Sequence, residues 1–134
     1  MAMRLSTSAK NASANAVADF MDGSGQSMIK VYTGSQPSSA NDTATGTLLA
    51  TITLQSVAMG DSSSGVASAN GLPLSASIAN SGTAGWFRVL RGNGASVFDG
   101  DITALGDGGV MELDNIELIA GGTITIQTFN LTQP

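Results

Sequence analysis

Asp99 and Asp101 are the pair of side chains whose spacing comes nearest to chemistry in this sequence. Two residues apart on a strand-like segment, their carboxylates face the same way, as two groups sharing a calcium ion or a proton would. A calcium site takes six or more oxygen ligands, and no Asp-x-Asp-x-Asp-Gly loop surrounds the pair, so Asp99-Gly100-Asp101 reads as a solvated strand end. Asp107 or Asp114 would enlarge the cluster only if the fold brought their loops together. Asp61-Ser62-Ser63-Ser64-Gly65 offers hydroxyls, but there is no histidine to activate one, and Lys10 and Lys30 lie outside any serine–lysine motif, so the segment reads as a turn. Gly92-Asn93-Gly94 has the glycines of a phosphate loop. Such a loop must open a helix, and here the glycines join two strands, which makes a hairpin turn. Trp86, the single tryptophan, either anchors the core or lies in an interface or sugar-binding face, and the core is the expectation. Arg88 shares its side of the strand, leaving that side partly buried or laying the guanidinium over the indole.

The wider inventory is equally sparse. With no histidine and no cysteine, the chain lacks the parts for Ser-His-Asp or Cys-His nucleophiles, thiolate metal sites and disulfides. No catalytic, cofactor or metal site is expected, and the chain reads as a non-enzyme. A formal charge of −5, from ten acidic and five basic residues, opposes nucleic-acid binding, which needs a clustered basic face. No stretch approaches the roughly 20 apolar residues of a membrane span, and the first residues carry no signal-peptide core, so synthesis in the cytoplasm without export is the expectation. The 134 residues suit a single domain, with 1–25 as arm and helix and 26–134 as the sheet body. Much of the 42% hydrophobic share is alanine, and aromatics are only 4%, which predicts a marginal monomer helped by oligomerisation or docking.

The elements follow from periodicity. Ala9, Ala12, Ala16, Val17, Phe20 and Met21 recur at helical spacing, capped by Ser6, Thr7 or Ser8 and stopped at Asp22-Gly23, which predicts a helix over 7–21. The period then changes to two: strands are predicted at 28–33, 48–54, 66–70, 72–78, 84–91, 95–103, 110–113, 116–119 and 123–131. The polar excursion from Ser35 to Gly46 is longer than most connections and is either a contact arm or a loose loop. The sum is a mainly β chain: an antiparallel β-sandwich or barrel-like domain with one N-terminal α-helix.

Several segments also carry a resemblance. Met3-Arg4-Leu5-Ser6-Thr7-Ser8-Ala9, Ile29-Lys30-Val31-Tyr32-Thr33-Gly34-Ser35-Gln36-Pro37, Thr45-Gly46-Thr47-Leu48-Leu49-Ala50-Thr51, Gly82-Thr83-Ala84-Gly85-Trp86-Phe87-Arg88-Val89 and Leu131-Thr132-Gln133-Pro134 together resemble a family of small tailed-bacteriophage structural proteins. Within it, size and composition are similar to capsid decoration, or cement, proteins. None of these segments is a catalytic or binding motif. The resemblance implies a virion protein on the outer capsid surface, a homotrimer holding neighbouring major capsid proteins together. Residues 1–25 and 35–46 are then the expected contact surface, with Arg4, Leu5, Phe20, Gln36 and Pro37 as candidate interface residues, no nucleic-acid partner and no membrane. The alternative is a tail or fibre component with a host-glycan-binding surface.

Overall fold

The computed structural model describes residues 5–132 apart from Ser56, Asp61 and Ser64. Helix α1 (Thr7–Asp22) is followed by strands β1 (Met28–Thr33), β2 (Leu48–Thr53), β3 (Val66–Ser68), β4 (Leu74–Ser77), β5 (Gly82–Leu90), β6 (Ser96–Ala104), β7 (Met111–Leu113), β8 (Glu117–Leu118) and β9 (Thr123–Thr132). The mainly β class with one N-terminal helix is as the periodicity predicts, and the sheet curls into a half-barrel. Its strands run in the order β2-β1-β5-β6-β7-β9-β3, with β4 also on β9 and β8 on β5.

Alternation divides the sheet into two faces. The inner face carries Ile29 and Val31 of β1, Phe87 and Val89 of β5, Ile102 of β6 and Met111 of β7, all in the buried core. Large anchors are few, so aromatic geometry matters. Three of the four phenylalanines meet here: Phe87 stands edge-on to Phe129 at 5.3 Å and to Phe98 at 6.0 Å between ring centroids. Gly100 faces Phe87 across the β5–β6 pair, and a Cβ at Gly100 would lie 2.6 Å from that ring. Glycine is required there for close approach.

The helix is thin, as its alanines predict, and buries Ala14, Ala18 and Met21 against β3 and β6. The Ser6 hydroxyl caps it by accepting from the Ala9 amide at 3.1 Å. Asn11 and Asn15, one turn apart, extend from it to fix the neighbouring turn: Asn11 Oδ1 accepts from Gly65 N at 2.8 Å and Asn15 Oδ1 from Ser62 N at 3.0 Å. At its far end the Phe20 carbonyl accepts from the Gly23 amide at 3.3 Å and from Arg91 at 2.8 Å, with the Arg91 guanidinium 4.1 Å over the Phe20 ring. Asp61 and Ser64 of the predicted serine-rich turn lie outside the described residues.

One pair departs from the antiparallel rule: β6 and β7 run parallel, Ile102 beside Met111, across the short connection 105–110. Parallel neighbours usually need a crossover of a dozen or more residues. Here Gly106 and Gly108, with φ of 94° and 85°, fold the connection back on itself. Glu112 holds it, one carboxylate oxygen accepting from Gly108 N at 2.8 Å and Gly106 N at 3.2 Å. Its other oxygen accepts from Thr128 Oγ1 at 3.0 Å. Those bonds, the Gly108 amide foremost, hold the Glu112 carboxyl below its ordinary pKa.

Two outcomes follow from these contacts. Gly100→Ala should cost about 1–3 kcal/mol in urea unfolding by forcing the Phe87 ring aside, and an unchanged midpoint would show that the ring has room to move. Because its folded pKa is depressed, Glu112 stabilises the connection above its unfolded pKa and loses that effect as pH falls through the folded one. In NMR titration the Gly106 and Gly108 amide protons should therefore move together in acid, with a midpoint below the usual glutamate value of about 4.3. The Gly109 amide, held by the Thr103 hydroxyl at 2.9 Å, should not follow them, and Glu112→Gln should abolish the transition.

Candidate functional site

The outer face of the sheet carries the residues with chemical character. Register across β1, β5 and β6 sets them in two rows: Lys30 beside Arg88 beside Asp99, and Tyr32 beside Trp86 beside Asp101. The two aspartates share a face, as their spacing predicts, but each ends a different row and each is engaged differently.

Asp99 receives a two-pronged ion pair from Arg88, Nε to Oδ1 at 2.7 Å and Nη2 to Oδ2 at 3.0 Å, with both side chains under a tenth exposed. A third guanidinium nitrogen, Nη1, donates to the Asp42 carbonyl at 2.7 Å. The bonds to Asp99, chiefly, push the Arg88 pKa above its ordinary value, so the charge is permanent. Asp101 is exposed and accepts from the Val110 amide at 3.0 Å through Oδ1. Among the described residues no group of three or more acidic side chains is placed to hold a metal ion, so Asp107 and Asp114 do not join the pair.

Trp86 is completely buried, yet it stands apart from the main core. Tyr32 stacks on it at 4.7 Å, and the Arg88 guanidinium lies 5.4 Å from its ring centroid, which satisfies the expectation that the arginine extends over the indole. Burial pushes the Tyr32 phenol above its usual pKa, against a lowering by Arg88 and with a further rise from Asp99. Trp86 therefore anchors a second, smaller cluster on the outer face instead of the space between two sheets. An indole crowded in this way offers no open stacking platform.

The excursion between β1 and β2 is fastened across this face. Besides the Arg88 bond to Asp42, Ser96 Oγ donates to the Ala40 carbonyl at 2.8 Å, and the Thr33 hydroxyl accepts from the Thr47 amide at 2.9 Å. The loop is thus fastened to the sheet and is not the loose excursion that was one of its two expectations. Its start and the strands beneath enclose an open cleft of about 460 Å³, lined by Gly34, Ser35, Gln36, Gly85, Trp86, Asp99, Gly100, Asp101 and Val110.

The chain matches no family model, no curated protein and no solved structure.

The five candidate interface residues do not form one surface. Arg4 lies outside the described residues, and Leu5 is half-buried just ahead of α1. Phe20 is 48% exposed and sits under Arg91, just past the end of β5. Gln36 lines the cleft near the start of the same strand, and Pro37 follows it, half-buried. Asp99, Asp101 and Trp86 gather around Gln36 in a way the candidate set did not anticipate. Counting strand positions outward from the Gly92–Gly94 turn would have placed Arg88 opposite Phe98; a register shift between Val89 and Leu90 brings Asp99 there instead. The anchoring of the loop by Ala40 and Asp42 has no local signal, because backbone carbonyls accept both bonds.

Removing one partner of a buried pair leaves an uncompensated charge. Arg88→Met should lower unfolding free energy by about 3–5 kcal/mol, and Arg88→Met with Asp99→Leu should recover most of it. Both variants should open residues 38–45 to proteolysis, because each loses the bond to Asp42. A loop as protected in the double variant as in the parent would assign its anchoring to other contacts.

Proposed function

We propose that this chain is a non-enzymatic structural protein of a tailed-bacteriophage virion, a decoration protein that binds the outer surface of the head and stabilises contacts between major capsid proteins. The observation that carries this reading is the pinned excursion over the outer face. Arg88 and Ser96 hold its backbone, while Asn41, Thr43 and Thr45 remain exposed. A loop ordered before contact loses less conformational entropy on docking than a loose one, which favours a protein whose work is adhesion. The carboxylates of the face support the same reading. Asp99 is committed to Arg88, and Asp101 caps a backbone amide, so neither is arranged as an acid–base partner of the other. The family resemblance of the segments at 3–9, 29–37, 45–51 and 82–89 supplies the virion context. Homotrimers and the major capsid protein belong to the proposal as its partners.

Electron cryomicroscopy of heads bearing the parent chain should show it on the outer shell at repeated positions. A triple variant, Asn41→Ala with Thr43→Ala and Thr45→Ala, should reduce affinity for heads by about tenfold while leaving thermal unfolding unchanged. Full occupancy by the variant would remove the loop from the contact, and absence of the parent from particles would overturn the virion assignment.

A further inference from the structure

The sheet has a lane that is only half filled. β7 lies between β6 and β9 but spans only Met111–Leu113, because the connection 105–110 is too short to carry the chain back beyond the level of Ile102. Among the described residues no strand stands beside Ser96 to Asp101 on the side of β6 away from β5. Register shows which groups this leaves over. Leu54 N donates to Ser27 O at 2.9 Å, which fixes the groups that β1 turns toward β2 and, through the β1–β5 and β5–β6 registers, those that β6 turns toward β5. Phe98 and Gly100 face β5, so Asp99 and Asp101 direct their main-chain groups into the lane. The Asp99 N–H and C=O and the Asp101 N–H have no partner there among the described residues. On the opposite wall Asn130 N donates to Val110 O at 3.2 Å, and the Asn130 C=O is left over because the Val110 N–H turns to Asp101 Oδ1. Such an edge is a template for another strand. β6 and β9 flank β7, so the lane is one strand wide, two strand spacings or roughly 10 Å between its walls. Its floor is apolar: the Phe98 and Phe129 rings meet at 6.1 Å between centroids, and Phe98, Val110 and Leu131 stay partly exposed. Helix α1 packs against β3 and β6 and not along β9, so it does not bridge the two walls.

We propose that this lane receives an extended segment of a partner polypeptide, inserted as a strand between β6 and β9 and carrying basic side chains at its outward positions. Main-chain donors and acceptors on two facing walls, at strand spacing and over an apolar floor, match one ligand class, a polypeptide backbone in extended form. Charge selects its side chains. Asp99, Asp101, Asp107, Glu112, Asp114 and Glu117 are all the charged residues of 92–134, a stretch with no lysine or arginine. Asp101, at the wall itself, is exposed, and among the described residues no cation pairs with it. A second copy of this chain, itself at −5, is opposed by the same field. The lane is separate from the excursion at 35–46, and the inference does not rest on the virion assignment.

The test is NMR of the full, isotope-labelled chain with the peptide acetyl-Lys-Val-Lys-Val-Lys-amide. Its comparators are acetyl-Glu-Val-Glu-Val-Glu-amide and a copy of the lysine peptide N-methylated at both valines. In the free chain, amide exchange should be fast at Asp99 and Asp101 and slow at Phe98 and Gly100. The lysine peptide should slow exchange at Asp99 and Asp101 and shift the Val110 and Asn130 amides saturably, with a Kd on the order of 1 mM. The N-methylated copy keeps the charge and loses the donors offered to one wall, so it should bind about tenfold more weakly, and the glutamate peptide weaker still. Asp101→Asn keeps an acceptor for the Val110 amide and should weaken the lysine peptide by about fivefold. The proposal is overturned if the Asp99 and Asp101 amides are already protected in the free chain, which would mean that the chain fills its own lane. It is overturned if the lysine peptide leaves those resonances unmoved or shifts others instead, or if the N-methylated copy binds equally well, which would reduce the contact to charge. Equal binding by the glutamate peptide, or by the Asp101→Asn variant, would overturn the basic character of the segment. Protection that rises with protein concentration in the absence of peptide would assign the lane to a second copy and overturn the proposal likewise.

Discussion

A guanidinium taken almost wholly out of water has to find acceptors, and Arg88 finds them on two different parts of the chain. Asp99 takes two of its nitrogens and the Asp42 carbonyl a third. The first contact ties β5 to β6 at one register, because a slip of one residue would turn Asp99 to the inner face. The second ties a polar excursion with no apolar period to the sheet. Such a pair adds little net stability over a well-packed apolar substitute, since the charges forfeit their hydration; what it supplies here is a fixed arrangement. The cleft, the covered tryptophan and the presented loop depend on it.

The two faces of the sheet solve different problems. Inside, a chain poor in large side chains concentrates three phenylalanines at one place and uses Gly100 to let a ring approach the backbone. Outside, Tyr32 and Trp86 lie flat against one another beside the ion pair, so the aromatic surface that would otherwise meet water is covered by its own neighbours. The loop then adds a lid of hydroxyl and amide groups. A small β body thereby gains a second buried cluster without a second sheet.

Much of this was readable from residue order. Period-two alternation located the long strands, and the Ser6-Thr7-Ser8 cap candidates with the Asp22-Gly23 stop bounded the helix to within a residue, the structure choosing Ser6 as the cap. The β5–β6 hairpin was legible because its turn glycines are local. The parallel placement of β6 and β7 was not, since it rests on Glu112 collecting amides from a loop whose path no strand pattern encodes. Strict alternation would put Leu49 on the same face as Thr51 and Thr53, yet it is buried while they are exposed, because the chain near Ala79, Asn80 and Gly82 packs over that end of β2. Trp86 was expected inside and is indeed buried, but by neighbours brought together only when three strands and a loop meet. The grouping of Gln36 with Asp101 is tertiary for the same reason. Single residues carried their character in the sequence, and their company did not.

The bonding at the ends of the sheet bears on contact with other molecules. The Leu49 carbonyl accepts from the Ala79 and Asn80 amides, and the Asn80 side chain covers the Leu48 carbonyl. At the opposite end Gly60 bonds Ser68, and Asn70 bonds Ala58. At these points the main-chain groups that an additional strand would need are already spoken for. Where these bonds lie, a contact with another molecule has to be made through side chains and loops.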